Sequence, residues 1–331
     1  MIVPSRPANV PALRPARRVG FQPIPIDRHP PWVLLSSRWQ RAAPVLGGAL
    51  LGSAVASALT ARWRGLARWL AGMTLGGAGL AALGVWHALQ PRLERITVTL
   101  PTLPTAFDGF RILHLSDFHL DQPLAAVAVQ RALRLAQPLH PDLIVFTGDF
   151  VSHVVPADLI NVLQPLTAPH GVYAIWGNHD YWVDDMQPLR DAVAQAGLRL
   201  LENQHVALHR DDATLYLAGV DDQWEGHDDL AAALRGIPAD GCIVLLAHEP
   251  DLADDAARHG VALQLSGHTH GGQVALPGLG PAFLPRHGWR YARGLVRVGS
   301  AWVYVSRGVG GLPFRLGSRS EITEITLRCV R

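Results

Sequence analysis

The sequence predicts an α/β layered domain with largely buried strands, set behind an apolar, membrane-associated helical segment. Two observations carry that expectation. From about residue 96 onward, short apolar runs that close on a polar residue alternate with segments of helical spacing. Ahead of them lie two apolar stretches free of Asp, Glu and Arg, 42–60 and 69–89, each near the ~20 residues that cross a bilayer core.

In chain order, residues 1–40 are a Pro/Arg-rich leader without apolar periodicity, expected to be flexible or extended. Residues 41–92 hold one or two hydrophobic helices, transmembrane or signal-anchor. Trp69 and Trp86 bracket the second stretch as interfacial anchors, and a soluble Gly/Ala-rich hairpin is disfavoured because no polar face would cover it. If the second stretch alone spans, Arg62, Arg64 and Arg68 stay in the cytoplasm and the rest of the chain lies outside. If both span, the chain returns to the leader's side. The arginine pair in "ARRVGF" is a weak export signal, since no apolar stretch follows it at once.

Residues 96–331 form the main domain. "FRILHLSD", "DLIVFTGD", "GVYAIWGN", "CIVLLAHE" and "VALQLSGH" read as strands. Residues 123–137, 156–166, 185–196, 227–235 and 250–258 read as helices, with Asp228 and Asp229 as cap signals ahead of "LAAALRG". "VALHRDDATLYLAGV" reads as a hairpin that turns at Asp211 and Asp212.

Charge narrows the function classes. All 29 basic residues are arginine, and twelve of them fall in residues 1–100 against only Asp27 and Glu94. The rest of the chain is therefore net acidic although the whole carries +2. An acidic body argues against the broad cationic face that holds a phosphate backbone, so no nucleic-acid partner is indicated. Cys242 and Cys329 stand far apart with no CxxC, which indicates neither a disulfide framework nor a thiolate zinc site; both read as buried small hydrophobes.

In open α/β sheets, ligands gather beyond the carboxyl ends of the strands. The polar residues expected there are Asp117 and His119 in "SDFH", Asp149 in "TGDF", Asn178, His179 and Asp180 in "GNHD", His248 in "LAHE", and His268 and His270 in "GHTH". Carboxylate, amide and imidazole groups suit divalent manganese, iron, zinc or a similar ion, and an aspartate placed to bridge suggests two of them. Gly148, Gly177 and Gly267 each precede a candidate ligand, where the backbone is expected to turn sharply at positive φ. Gly271 and Gly272 are expected to clear room for a substrate's phosphate. Singly, a DxH, a GD or an HxH is a chance match, and an isolated buried histidine is more often core than ligand. Five such elements in this order, each ending a strand, are not coincidence.

The order D-x-H, G-D, G-N-H-D, H, G-H-x-H resembles the calcineurin-like metallophosphoesterase superfamily over residues 108–331, with no signature element missing. "LPTAFDGFRILHLSDFHL", "GHTHGGQ" and "VYVSRGVGGLPFRLGSRSEITEITL" are similar to a group of small bacterial membrane-associated or exported phosphodiesterases, except that Ser320 stands where that group usually has Pro. The resemblance implies a layered β-sandwich of two mixed sheets flanked by helices, with 96–331 as the catalytic domain, at the bacterial inner membrane. It implies that Asp117, His119, Asp149 and His270 hold a first metal and Asp149, Asn178, His248 and His268 a second, with Asp149 bridging. The implied activity is hydrolysis of a phosphodiester or phosphomonoester, by in-line attack of a hydroxide shared between the metals.

His179, beside Asn178, is the candidate for protonating the leaving oxygen or stabilising its charge, with Asp180 orienting its imidazole. His153, Tyr181, Trp182 and Arg307 are candidate substrate contacts, weighed against packing for the aromatics and a structural ion pair for Arg307. Asp221 and Asp222 in "GVDDQW" match a segment of the family or a solvated turn, and His114 reads as a core histidine. Anchoring points to a lipid-linked or envelope phosphate as substrate. The alternatives are a tethered nucleotide phosphodiesterase or pyrophosphatase, and a metal-stabilised scaffold without turnover, which would have no use for the non-ligand His179.

Overall fold

Every apolar run named above forms a strand, and most are buried on both faces, because helices cover the outer side of a sheet whose inner side meets a second sheet. The computed structural model describes residues 64–276 and 278–330; the leader at 1–40 and the apolar stretch at 42–60 lie outside the described residues. One sheet has the order β1 (Arg92–Leu100), β14 (Glu321–Cys329), β2 (Arg111–Leu115), β3 (Leu143–Thr147), β4 (Val172–Ile175) and β5 (Arg199–Leu200). Only β14 and β2 pair antiparallel in it. The other has the order β12 (Gly294–Val298), β13 (Ala301–Val305), β9 (Leu263–Ser266), β8 (Cys242–Leu246), β7 (Ala213–Gly219) and β6 (Gln204–Arg210). Its two outer pairs are antiparallel and the inner ones parallel.

The inner faces share one core, in which Leu100, Ile112, Val145 and Ile175 meet Leu215, Val244, Leu265 and Tyr304. A fully buried aliphatic side chain of this kind contributes about 1.5–3 kcal/mol. Helices α2 (Ala125–Ala136), α3 (Leu159–Leu163) and α4 (Gln187–Gln195) bury their apolar faces on the outside of the first sheet. Helices α5 (Leu230–Leu234) and α6 (Ala253–Arg258) do the same on the second. The expected helix-flanked pair of mixed sheets is what forms. All five helices are shorter than their spacing suggests, α3 and α5 most of all: Asp229 accepts from Ala232 N at 2.9 Å, so α5 begins only at Leu230. The end of α3 is set just before Pro165, which has no N–H to continue the ladder.

Helix α1 (Arg64–Leu89) precedes β1, and Arg68–Leu89 is long and apolar enough to cross a membrane by length and composition. Trp69, Met73, Leu75, Leu80, Leu83 and Trp86 on it are exposed. Its last turns are tied down: Gly84 O accepts from Arg315 N at 2.9 Å and Leu89 O from Arg131 Nη1 at 2.7 Å. Cys242 is buried as expected, but Cys329 is only half-buried, because β14 ends there at the sheet margin.

Candidate metal centre

The ligand candidates follow their strands with a regular offset. Asp117, Asp149, His248 and His268 each sit two residues past the last residue of β2, β3, β8 and β9, and Asn178 three past β4. These strands lie in parallel sets within their sheets, so their carboxyl ends bring the five loops to one edge. The loops are tight. Asp117, His119, Asp149, His268 and His270 all have positive φ, between 45° and 69°, a conformation that costs a non-glycine residue on the order of 1–3 kcal/mol and persists only where its surroundings enforce it.

The glycines therefore divide their work differently from the sequence expectation. Gly148 does have positive φ, at 82°, but Gly177 and Gly267 are needed for space rather than for φ. A Cβ at Gly177 would stand 2.4 Å from Asp149 Oδ1, and one at Gly267 1.9 Å from Ser116 Oγ. Gly271 and Gly272 do not clear room for a phosphate. A Cβ at either would meet protein, 2.4 Å from Ser318 Oγ and 2.2 Å from Pro281 Cβ, so these glycines admit neighbouring loops.

Asp117, His119, Asp149 and His270 are buried and offer donor atoms that all lie within 4.8 Å of one another. His119 Nε2 is 3.2 Å from His270 Nε2 and 3.4 Å from Asp149 Oδ2, and His270 Nε2 is 3.5 Å from Asp117 Oδ1. On the other side of Asp149, the same Oδ2 lies 3.2 Å from His248 Nε2. The His248 and His268 rings are 4.9 Å apart, and His268 Nδ1 is 3.0 Å from Asn178 Oδ1. The structure thus brings all seven ligand candidates together, with His270 against His119 and Asp117 and His268 against His248 and Asn178.

Second partners settle which nitrogen of each ring is available. His248 Nδ1 donates to Thr147 O at 2.6 Å and His268 Nε2 to Arg286 O at 2.7 Å. That leaves His268 Nδ1 as a lone pair and His248 Nε2 as the ring nitrogen that faces Asp149 and would coordinate on losing its proton, the arrangement by which ligating histidines are oriented. His268 Nδ1 and Asn178 Oδ1 are then two acceptors face to face, and Asp117 Oδ2 and His248 Nε2 have no hydrogen-bond partner among the described residues. Buried acceptors turned toward one another are unfavourable unless a cation lies between them, so the donor set fits divalent metal ions. Despite burial, His248, His179 and His119 hold Asp149 well below the usual carboxylate range, and Asp149 in turn pushes His248 well above the usual imidazole range.

The catalytic candidates part company. His179 lies at the cluster, its ring edge-on to His119 at 4.8 Å and 4.1 Å from Trp182, and its backbone N–H donates to Asp149 Oδ1 at 2.9 Å. Burial holds its imidazole well below the ordinary value. Asp180 does not orient that ring. Its carboxylate accepts from Gly177 N, Asp149 N and Val151 N at 3.0, 2.9 and 3.2 Å, so it clamps the β3 and β4 loops together. Burial, then Asp149, push its carboxyl up to about 8.

Among the substrate-contact candidates, exposed His153 stacks on Trp182 at 6.0 Å beside the site. Tyr181 donates to Asp221 Oδ1 at 2.6 Å and Trp182 Nε1 to Glu225 Oε1 at 3.0 Å, so both are also held by packing. Arg307 is in an ion-pair network, 2.9 Å from Glu321 and 3.1 Å from Glu94. Asp222 is buried rather than a solvated turn, and its Oδ1 accepts from Glu225 N. His114 is a core histidine, 2.8 Å from Thr147 Oγ1. Sequence reasoning missed Asp121, whose carboxylate accepts from Ser152, His153 and Val154 N–H, and Ser152, whose Oγ is 2.8 Å from His119 Nδ1. It also missed fully buried Arg315, whose Nη2 stands 3.0 Å from His270 Nδ1. Asp121 lies only two residues past His119, which is the one signal that pointed to it.

Residues 110–272, which contain all seven ligand candidates, match the family model described as calcineurin-like phosphoesterase. Over 239 residues the chain is 35% identical to the uncharacterized metallophosphoesterase YkuE of Bacillus subtilis, covering 70% of this chain and 84% of that protein. A transmembrane protein with metallophosphoesterase domain from Danio rerio is 36% identical over 270 residues, 76% of this chain and 61% of that protein. Phosphodiesterase YaeI of Escherichia coli is 32% identical over 225 residues, 66% of this chain and 82% of that protein.

Proposed function

As a member of the calcineurin-like phosphoesterase family the chain is a phosphoric ester hydrolase, and we propose that it is a membrane-attached phosphodiesterase working with two divalent metal ions. The single observation behind two ions is the position of Asp149. One oxygen, Oδ2, lies within reach of two imidazoles, 3.4 Å from His119 Nε2 and 3.2 Å from His248 Nε2. Asp117, His119 and His270 would complete one site around it, and Asn178, His248 and His268 the other. When bound, such ions supply Lewis acidity that makes water deprotonate near neutral pH and neutralises phosphate charge.

The chain's own groups do the rest. Asp180 and Asp121 fix the loops that carry Asp149 and Ser152, which keeps the donor atoms in place without reorganisation. His179, held by its backbone N–H to Asp149 and kept neutral by burial, hydrogen-bonds through its ring N–H to the leaving oxygen as charge develops there. Trp182 and His153 wall the cleft beside His179 and contact the leaving group. The name of YaeI supports a phosphodiester over a monoester, and the apolar α1 supports a lipid-linked or envelope phosphate.

The test is metal stoichiometry together with hydrolysis of bis(p-nitrophenyl) phosphate. Wild-type protein should bind two manganese ions per chain and turn over the ester, with turnover abolished by chelator. His268→Ala should bind one ion and Asp149→Asn should bind neither tightly. Two ions retained by Asp149→Asn would overturn the bridging role, and no metal-dependent hydrolysis by folded protein would overturn the activity.

A further inference from the structure

We propose that the hairpin formed by β10 (Ala275–Leu276) and β11 (Gly280–Pro281) inserts into an anionic phospholipid bilayer and sets the metal centre at the lipid–water interface. The hairpin and the residues just after it display apolar side chains to solvent: Leu279 is 82% exposed, Phe283 81% and Leu276 50%. Soluble surfaces rarely carry such clusters without something to cover them. Its base is part of the site, since Gly272 packs against Pro281 two residues after His270.

The occupant is identified by continuity and by charge. Ala275 N donates to Leu316 O at 2.7 Å, and the neighbouring Arg315 N donates to Gly84 O at 2.9 Å. The hairpin and the last turns of α1 are therefore bonded to consecutive residues of one segment. A Cβ at Gly84 would stand 2.3 Å from the Phe314 ring, so helix and segment pack flush. Leu83 and Trp86 on α1 and Leu312 on the segment extend the exposed apolar surface. Helix α1 is the element whose length and composition suit a bilayer, and the same short segment bonds its last turns at Gly84 and the hairpin at Ala275. The surrounding sequence has the matching charge: residues 256–320 contain no Asp or Glu, and although Arg258, Arg290 and Arg307 there are paired with acids outside that stretch and Arg315 is buried, others face solvent. Arg286 and Arg293 there are exposed, and basic side chains beside an anionic leaflet are drawn to it.

Joined to the phosphohydrolase reading, this placement makes the substrate class a phosphate ester whose apolar part stays in the bilayer. The docking itself is tested without any ester. The full chain carrying Cys329→Ser and Leu279→Cys, labelled at that cysteine with an environment-sensitive fluorophore, is reconstituted in phosphatidylcholine vesicles with or without phosphatidylglycerol. A matched label replaces Asp211 in the β6–β7 turn. Lipid-borne quenchers should suppress the Leu279 label several-fold more than the Asp211 label, more strongly with phosphatidylglycerol present, and adding Phe283→Asp should reduce the difference. Equal quenching at the two positions would overturn the proposal. So would a Leu279 emission shift that tracks dimer formation and escapes the lipid quenchers, since the occupant would then be a second copy. Neither measurement depends on turnover, so its failure and that of the hydrolase reading are distinguishable.

Discussion

Asp149 shows how much one residue carries: its Oδ2 faces both halves of the cluster while its Oδ1 accepts the His179 N–H. Two predictions belong to this scale. His179→Ala should keep the metal content of the wild type yet lose on the order of 10²–10³ in turnover, the range for removing one donor to a developing oxyanion. The loss should be smallest for a p-nitrophenyl leaving group, which needs no proton, and a drop in metal content would instead mark His179 as a ligand. Gly267→Ala should abolish tight metal binding, because its Cβ would overlap Ser116 Oγ and stand 2.4 Å from Asp117 Oδ2; calorimetric titration with manganese reads this directly. The candidate ligands were legible because a histidine or aspartate at a strand end is visible in the chain itself. The glycine roles were not, because what a Cβ would strike belongs to a loop far away in sequence.

At the scale of elements, the site is made by loops that clamp one another. Asp180 joins the β3 and β4 loops through three backbone N–H groups, and Asp121 joins the β2 and β3 loops through three more. Orphaning a buried donor costs about 1–3 kcal/mol. Asp180→Ala should therefore lower the melting temperature markedly in chelator, where metal binding cannot mask the loss, and should weaken manganese binding in the same protein. If Asp180 acted only through the His179 ring, stability would hardly change. Strands β2, β3, β4, β8 and β9 were readable as buried apolar runs. The parallel β1–β14 pair was not, since its "RLERITVTL" and "EITEITLRC" mix charged and apolar residues and find each other only across the whole chain.

For the whole molecule, metal and fold should be coupled. Two buried aspartates, three buried imidazoles, His270 beside them and Asn178 crowd one edge of the two sheets. A ligand that binds only the folded state, at 1,000 times its dissociation constant, stabilises by about 4 kcal/mol. Manganese should therefore raise the melting temperature of the wild type by several degrees and that of Asp149→Asn far less, as differential scanning calorimetry would read. An equal rise in both would place the stabilising ion elsewhere.

By itself the sequence determined the layered α/β class, the apolar helix ahead of it and the seven residues that close the strands, because each depends on local periodicity and on residue type at a strand end. Only the tertiary structure decided that Asp180 clamps loops, that Arg307 is held by Glu94 and Glu321, and that the hairpin after "GHTHGGQ" lies beside the end of α1. Those facts turn on which distant side chains come within a few ångströms, and that is set by sheet order and register, which no single stretch of the chain encodes.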